Sequence, residues 1–250
     1  MSGQIRRWKH LSRKHLVIRS SRLMSMMEWH MSEEIKRINL GGLMGLGANC
    51  YLVKTGTGYI LIDTGFSTKR TKLKKELERA GCQPGNLQLI IITHGHGDHT
   101  GNCAYLQEKY GTKIVMHSGD SGMVEREDVG GHILDRVILS ILSVLFGLGK
   151  VEGFRPDMYV EDGYDLSGYG FDAKVLHLPG HSKGSIAILT TCGDLFCGDL
   201  LINRGNPGKH FIIDDVAELN ASVGKLKTLP INTVYPGHGP SFSMAEFANR

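Results

Sequence analysis

The segment His94-Gly95-His96-Gly97-Asp98-His99 places four metal-binding side chains in six residues, directly after the apolar run Leu87–Ile92. Successive residues of an extended chain face opposite sides, so His94 and His96 share one side where the strand ends. Gly95 and Gly97 remove side-chain bulk and permit φ angles that other residues avoid, which lets Asp98 and His99 fold back toward a second point. One short turn then holds two neighbouring cations, each short of its ligand set. The missing donors must come from distant parts of the chain, so the fold has to bring several strand ends to one edge.

Three further segments repeat that context, an extended run followed by a glycine turn and a donor: Leu178-Pro179-Gly180-His181, Phe196-Cys197-Gly198-Asp199 and Tyr235-Pro236-Gly237-His238. Taken alone, His238 reads as a hydrogen-bonded turn residue. The joint set is five histidines and two aspartates, nitrogen and oxygen donors that suit Zn²⁺, or Fe or Mn, rather than thiolate-selecting metals. Seven donors exceed the needs of one tetrahedral ion. They suit two divalent ions sharing Asp199 and a solvent-derived oxygen.

Around these motifs the pattern is α/β. Strand-like runs Asn49–Val53 and Tyr59–Asp63 flank a glycine-rich hairpin signal, and Leu73, Leu77 and Ala80 mark a helix over Thr68–Ala80. Strand Leu87–Ile92, helix Asn102–Tyr110 and strand Lys113–His117 follow. The second half offers strands Ala173–Leu178, Ser185–Thr190, Asp194–Cys197 and Thr233–Tyr235, with a helix over Val216–Lys227 buried through Val216, Leu219, Val223 and Leu226. Two such halves imply two sheets packed together with helices outside. Segment 132–149 is apolar on every side and carries Asp135 and Arg136, at the short limit for a membrane span. It reads as a helix that closes over the site or packs against a second subunit, making a homodimer. No membrane span is expected.

The 250 residues carry a net charge of +4, yet residues 1–30 alone carry +6 and the remainder −2. Residues 32–250 therefore read as one domain and residues 1–31 as a basic extension. That extension is either a charged arm or sequence upstream of a true start among Met24, Met26, Met27 and Met31. It lacks aromatic interleaving and the apolar stretch of a secretory signal, so no specific nucleic-acid partner is expected. Five scattered cysteines without a CxxC pair point to reduced thiols in a cytoplasmic protein. Cys197 reads as core packing, and His117 and His177 as structural residues.

With its HxHxDH turn followed in order by the PGH, GD and PGHGP elements, the chain resembles the metallo-β-lactamase-fold superfamily over roughly residues 38–241. The resemblance implies an αββα sandwich, two mixed β-sheets packed together with helices on the outside and the site at their edge. It implies one metal held by His94, His96 and His181, a second held by Asp98, His99 and His238, and Asp199 as the bridge. Asp63 would fix the tautomer of a ligating imidazole. Two cations lower the pKa of a shared water, and the resulting hydroxide attacks a carbonyl or phosphoryl centre. Asp98 or a water then protonates the leaving group, which makes Asp98 and Asp199 the catalytic carboxylates of a metal-dependent hydrolase.

An aspartate in the bridging place argues against true β-lactamases. Hydroxyacylglutathione hydrolases (glyoxalase II) resemble the ligand set but carry a helical C-terminal region, whereas this chain stops twelve residues after His238. Nucleases that process tRNA 3′ ends share the turn but need a basic exosite. The expected small-molecule substrate is therefore an ester, thioester or lactone of a small, apolar acyl group. Residues 203–210 form either a solvated loop or a segment presenting Arg204, Lys209 or His210 to an anionic group. The alternatives are a mononuclear iron persulfide dioxygenase and a phosphodiesterase or nuclease of the same fold.

Overall fold

The computed structural model describes residues 34–41, 47–125 and 152–249. A first sheet has the order β1 (Glu34–Asn39), β2 (Asn49–Thr55), β3 (Gly58–Ile62), β4 (Leu87–Ile91), β5 (Lys113–Met116), β6 (Met158–Tyr159). Its first three strands pair antiparallel and its last four pair parallel. A second sheet contains β7 (Ala173–His177), β8 (Ile186–Thr190), β9 (Asp194–Gly198), β12 (Thr233–Pro236) and β13 (Phe242–Ser243), in the order β13-β12-β9-β8-β7. The intervening β10 (Leu201–Asn203) and β11 (Pro207–Lys209) form a separate hairpin. The helices are α1 (Arg70–Arg79), α2 (Gly97–Thr100), α3 (Cys103–Tyr110), α4 (Ser121–Val124), α5 (Val216–Leu226) and α6 (Met244–Ala248).

The layering follows from residue alternation. Ile60, Ile62, Leu89 and Ile91 pack with Val175, Ile186, Ile188 and Phe196 of the other sheet, in a core between the sheets. Their neighbours Leu61, Ile90 and Ile92 point the opposite way, onto Leu73 and Leu77 of α1 and Leu106 of α3. Across the second sheet, Ala187, Leu195 and Val234 meet Leu219, Val223 and Leu226 of α5. Strands buried on both faces read as continuous apolar runs, which is why Leu89–Ile92 shows no polar alternation. The result is an αββα sandwich of two mixed sheets. Each core side chain contributes roughly 1.5–3 kcal/mol of burial.

Within the described residues the anticipated helices and strands are present, with ends displaced by one or two residues. Helix α5 departs from its expected stripe: Val216 is 60 % exposed, because the first turn lies beyond the cluster formed by Leu219, Val223 and Leu226. Asp215 starts this helix by accepting from the Glu218 N–H at 2.9 Å. Residues 203–210 are not a simple loop, since β10 and β11 pair from Leu201↔Lys209 to Asn203↔Pro207 and return the chain toward Asp199. The proposed N-terminal extension, residues 1–31, and the apolar segment 132–149 lie outside the described residues. Among the described residues, no helix is long and apolar enough to cross a membrane.

What matters for the site is direction. Strands β3 and β4 run parallel, as do β9 and β12. Asp63, the histidine turn, Asp199 and His238 therefore follow the C-terminal ends of four strands at one edge of the sandwich. Ties across that edge hold it closed: Asn49 Nδ2 donates to Pro236 O (2.9 Å) and Gly239 O (2.7 Å), and Ile186 N–H donates to Thr93 O at 2.9 Å.

Candidate metal centre

The chain leaves β4 extended through His96 (φ −70°, ψ 147°) and then coils into the single turn of α2. His96 O accepts from the N–H groups of His99 (3.0 Å) and Thr100 (3.1 Å). This turn, rather than unusual glycine dihedrals, folds Asp98 and His99 back, since neither Gly95 nor Gly97 has a positive φ. Gly95 is required sterically: an added Cβ would lie 2.9 Å from Met123 Cβ.

Seven sequence-identified donors converge. Donor atoms of His94, His96 and His181 lie within 4.8 Å of one another, as do those of Asp98, His99 and His238. Asp199 sits between the two groups. Its Oδ2 is 3.7 Å from His181 Nε2 and 3.2 Å from His238 Nε2, and its Oδ1 is 3.4 Å from His99 Nε2. His94, His99, His181, Asp199 and His238 are buried. Among the described residues, His94 Nε2, His99 Nε2 and Asp199 Oδ1 are buried without any hydrogen-bond partner. Unpaired buried donors and acceptors are costly, and their convergence fits a cation that satisfies them together.

The hydrogen bonds behind the cluster assign the ring tautomers. Thr93 Oγ1 donates to Asp63 Oδ2 (2.8 Å) and so accepts from His94 Nδ1–H at 3.0 Å. Asp63 Oδ2 also accepts from His99 Nδ1–H at 2.8 Å, and Ile212 O accepts from His181 Nδ1–H at 2.8 Å. Each of these rings therefore keeps the lone pair of Nε2 for the cluster. Asp63 reaches the His99 ring in a conformation that sequence does not announce. With φ of +59° it is the one non-glycine residue in the left-handed region among the described residues. That backbone lets its two oxygens take both the Thr93 N–H (2.9 Å) and the His99 ring.

The electrostatics divide the cluster. Burial pushes His94 well below the ordinary histidine range, and burial likewise lowers His181 to about 4. Burial also opposes charge on His238, yet the Asp199 and Asp98 carboxylates prevail and raise it to about 9. His99 is raised well above its usual range because Asp199, Asp98 and Asp63 outweigh its burial. Asp199 is correspondingly held well below the carboxylate range: burial pushes it up, but His99 and His238 outweigh that. Without a cation, protons sit on His99 and His238, while His94 and His181 are neutral.

A cavity of about 430 Å³ opens over the cluster, with His96, Asp98, His181, Asp199 and His238 at its base and Phe66, Phe211 and Ile212 among its walls. Phe211 is 61 % and Ile212 51 % exposed. Arg204 lines the same cavity, its guanidinium 5.1 Å from the centre of the Phe211 ring. Lys209, proposed with it, turns away to Asn220 Oδ1 at 2.5 Å and is not a cavity residue, because pairing in β11 points it toward α5. His210 is placed deeper than an anion contact at the rim, with Nε2 3.4 Å from Asp199 Oδ2.

His117 and His177 stack on each other at 3.9 Å, bonded to Glu161 and to Lys183 O. Cys197 is core, its thiol raised to about 12 by burial. Asp120 is the residue that motif reading passed over. Its Oδ2 accepts from Gly95 N–H (2.8 Å) and Ser182 Oγ–H (2.7 Å), and its Oδ1 accepts from Gly184 N–H (2.7 Å). One buried carboxylate thus clamps the His94–His96 turn to the His181 loop. An available signal was its position: an acid between Gly119 and Gly122, just past a strand end, in the same context as the other site residues.

Comparisons with known proteins give the family. The metallo-beta-lactamase superfamily profile matches residues 43–238. The chain is 30 % identical over 187 residues to the hydroxyacylglutathione hydrolase GloC of Haemophilus influenzae, covering 72 % of this chain and 79 % of that protein. It is 27 % identical over 214 residues to a beta-lactamase-like protein 2 homolog of Caenorhabditis elegans, covering 84 % of this chain but 63 % of the nematode protein's length. Among solved structures, TTHA1623 in a di-iron-bound form matches with a TM-score of 0.66 at 32 % identity, covering 83 % of this chain and 96 % of the other. The B3 metallo-beta-lactamase BLEG-1 matches with a TM-score of 0.67 at 24 % identity, over 87 % and 97 % of the two chains, a likeness of fold. The chain, with its His/Asp metal-binding cluster at the sandwich edge, belongs to the metallo-beta-lactamase superfamily of metal-dependent hydrolases.

Proposed function

We propose that this protein cleaves an ester, thioester or lactone of a small, apolar acyl group, using two divalent ions, zinc in the first instance. His94, His96 and His181 would hold one ion, Asp98, His99 and His238 the other, and Asp199 both. Such ions, when bound, supply Lewis acidity and lower the pKa of water into the neutral range. The residues do the rest. Thr93, Asp63 and Ile212 keep the ring protons of His94, His99 and His181 on the outward nitrogens. Asp98 faces the cavity with Oδ2 3.3 Å from His238 Nε2, where its carboxylate relays a proton from the attacking water to a departing alcohol or thiol. Phe66, Phe211 and Ile212 exclude water from an apolar acyl chain, and Arg204 meets an anionic end.

The observation that carries this reading is the convergence of three orphaned buried atoms, His94 Nε2, His99 Nε2 and Asp199 Oδ1, beneath a cavity with apolar walls. The GloC relative supports a thioester within the substrate class. The di-iron-bound relative supports iron as the second candidate metal. The cysteines among the described residues are free thiols, which supports action in the cytoplasm. The test is elemental analysis of the protein and of Asp199→Ala, followed by an ester, thioester and lactone screen. About two ions per chain, falling sharply in the variant, with turnover lost, is the expected result. A single iron that survives the substitution would refute the dinuclear hydrolase in favour of the dioxygenase.

A further inference from the structure

His210 stands among the metal donors: its ligand atom lies within 4.8 Å of those of His181 and Asp199. Proximity alone would make it an eighth ligand. The backbone of Ile212 argues otherwise. Ile212 O accepts from His181 Nδ1–H at 2.8 Å, while Ile212 N–H points to His210 Nδ1 at 3.1 Å and donates to it. His210 Nδ1 also lies 3.3 Å from Ile212 O, but that contact is the longer of the two and falls on an oxygen already engaged by His181 at 2.8 Å, so the bond from Ile212 N–H decides. Nδ1 of His210 is therefore the acceptor, and its proton sits on Nε2. One peptide residue sets opposite tautomers on two neighbouring rings, leaving a lone pair toward the cluster on His181 and an N–H on His210.

We infer that His210 is not a metal ligand but a hydrogen-bond donor, its Nε2–H serving the oxyanion that forms when a substrate carbonyl is attacked above the metal cluster. This rests on the hydrolase reading proposed above. Three placements support it. The ring is 4.8 Å from His181 and 5.8 Å from His238, centre to centre, so it spans both halves of the cluster. It lines the cavity. The β10–β11 hairpin and the Phe211 ring stacked on it at 4.6 Å hold it there. As the nucleophile's oxygen bonds to the acyl carbon, the carbonyl π pair moves onto the acyl oxygen, and His210 shares its proton without transferring it. When the leaving group departs, the pair returns and His210 is unchanged. Fixed donors aimed at developing charge are worth about 10²–10³-fold in rate.

The test uses zinc-loaded, ¹⁵N-labelled protein. Long-range ¹H–¹⁵N correlation reads each ring's tautomer, and calorimetry with n-butylphosphonate, a tetrahedral oxyanion mimic, reads the donor without turnover. The expected result is an Nε2–H tautomer on His210 and an Nδ1–H tautomer on His181. His210→Ala should keep its metal content, bind the phosphonate about tenfold more weakly and lose about 10²-fold in kcat/KM. His210→Gln, which retains an N–H donor, should recover part of both. An Nδ1–H tautomer on His210, or loss of metal in His210→Ala, would make it a ligand and overturn the inference. Equal phosphonate affinity in wild type and His210→Ala would do the same. Wild type that discriminates the phosphonate as expected yet turns over no ester, thioester or lactone would sink the substrate reading alone.

Discussion

Replacing Asp120 by Asn exchanges one oxygen for an NH₂ group and leaves volume intact, so its consequence can be worked from the hydrogen bonds alone. The carboxylate is buried and accepts three donors, Gly95 N–H, Ser182 Oγ–H and Gly184 N–H, at 2.7–2.8 Å. An amide oxygen in the Oδ2 place keeps the first two, but as neutral bonds, each weaker than its charged counterpart by about 1 kcal/mol. The NH₂ group then faces Gly184 N–H and leaves a buried donor unpaired, at a cost of about 1–3 kcal/mol. The total of about 3–5 kcal/mol corresponds to a fall in Tm of roughly 10 °C for a domain of this size. The lost clamp joins Gly95, between His94 and His96, to Ser182, beside His181, and touches none of Asp98, His99 and His238. Zinc affinity should therefore fall roughly 10–100-fold in one half of the site and stay unchanged in the other. Thermal unfolding followed by circular dichroism, with zinc titration against a competing chelator, reads both effects. Wild-type Tm with two unaltered affinities would show that Asp120 carries no such role.

Asp63→Asn keeps a residue that tolerates positive φ but sets an amide against His99 Nδ1–H. Chelator titration should show roughly 10–100-fold weaker metal binding in the Asp98–His99–His238 half. Gly237→Ala would bring a Cβ within 2.1 Å of Asp199 Oδ1, so elemental analysis should find metal lost from both halves in a protein that still folds by circular dichroism. For pH, His238 is raised from 6.5 to about 9 in the metal-free protein, so a bound ion must displace its proton. His99 in that half is raised as well, so zinc affinity there should rise by about tenfold per pH unit for each proton displaced, up to about a hundredfold where both rings lose one. The contribution of His94 and His181 should change little above neutrality, because burial keeps both rings neutral there, His181 with a pKa of about 4. In the metal-free protein the sign is opposite: the stability that charged His238 contributes is complete below 6.5 and is lost as pH rises through about 9. Thermal melts with and without zinc would separate the two trends.

How far the sequence could be read depends on whether the governing interaction is local. The His94–His99 segment declared its chemistry because six adjacent residues hold four donors, and the remote donors were recognisable because each follows a strand and a glycine. The strands and helices were legible for the same reason, since apolar periodicity reports which faces are buried within one element. Hence α1, α3, β4 and α5 lie where expected to within one or two residues. Val216 departs because periodicity names a stripe but not how far along it the neighbouring layer extends.

Relations between elements emerge only on folding. Asp120 carries no motif, and its role exists only because β5 ends between two loops that are far apart in sequence. Lys209 and His210 are adjacent, yet one reaches α5 and the other the cluster, because strand pairing sends consecutive side chains to opposite faces. The tautomers of His181 and His210 depend on a single backbone unit at Ile212. Residue types and their spacing define which atoms this protein can offer a metal. Folding decided which of them keep a lone pair, because a ring proton goes wherever the second nitrogen finds its partner.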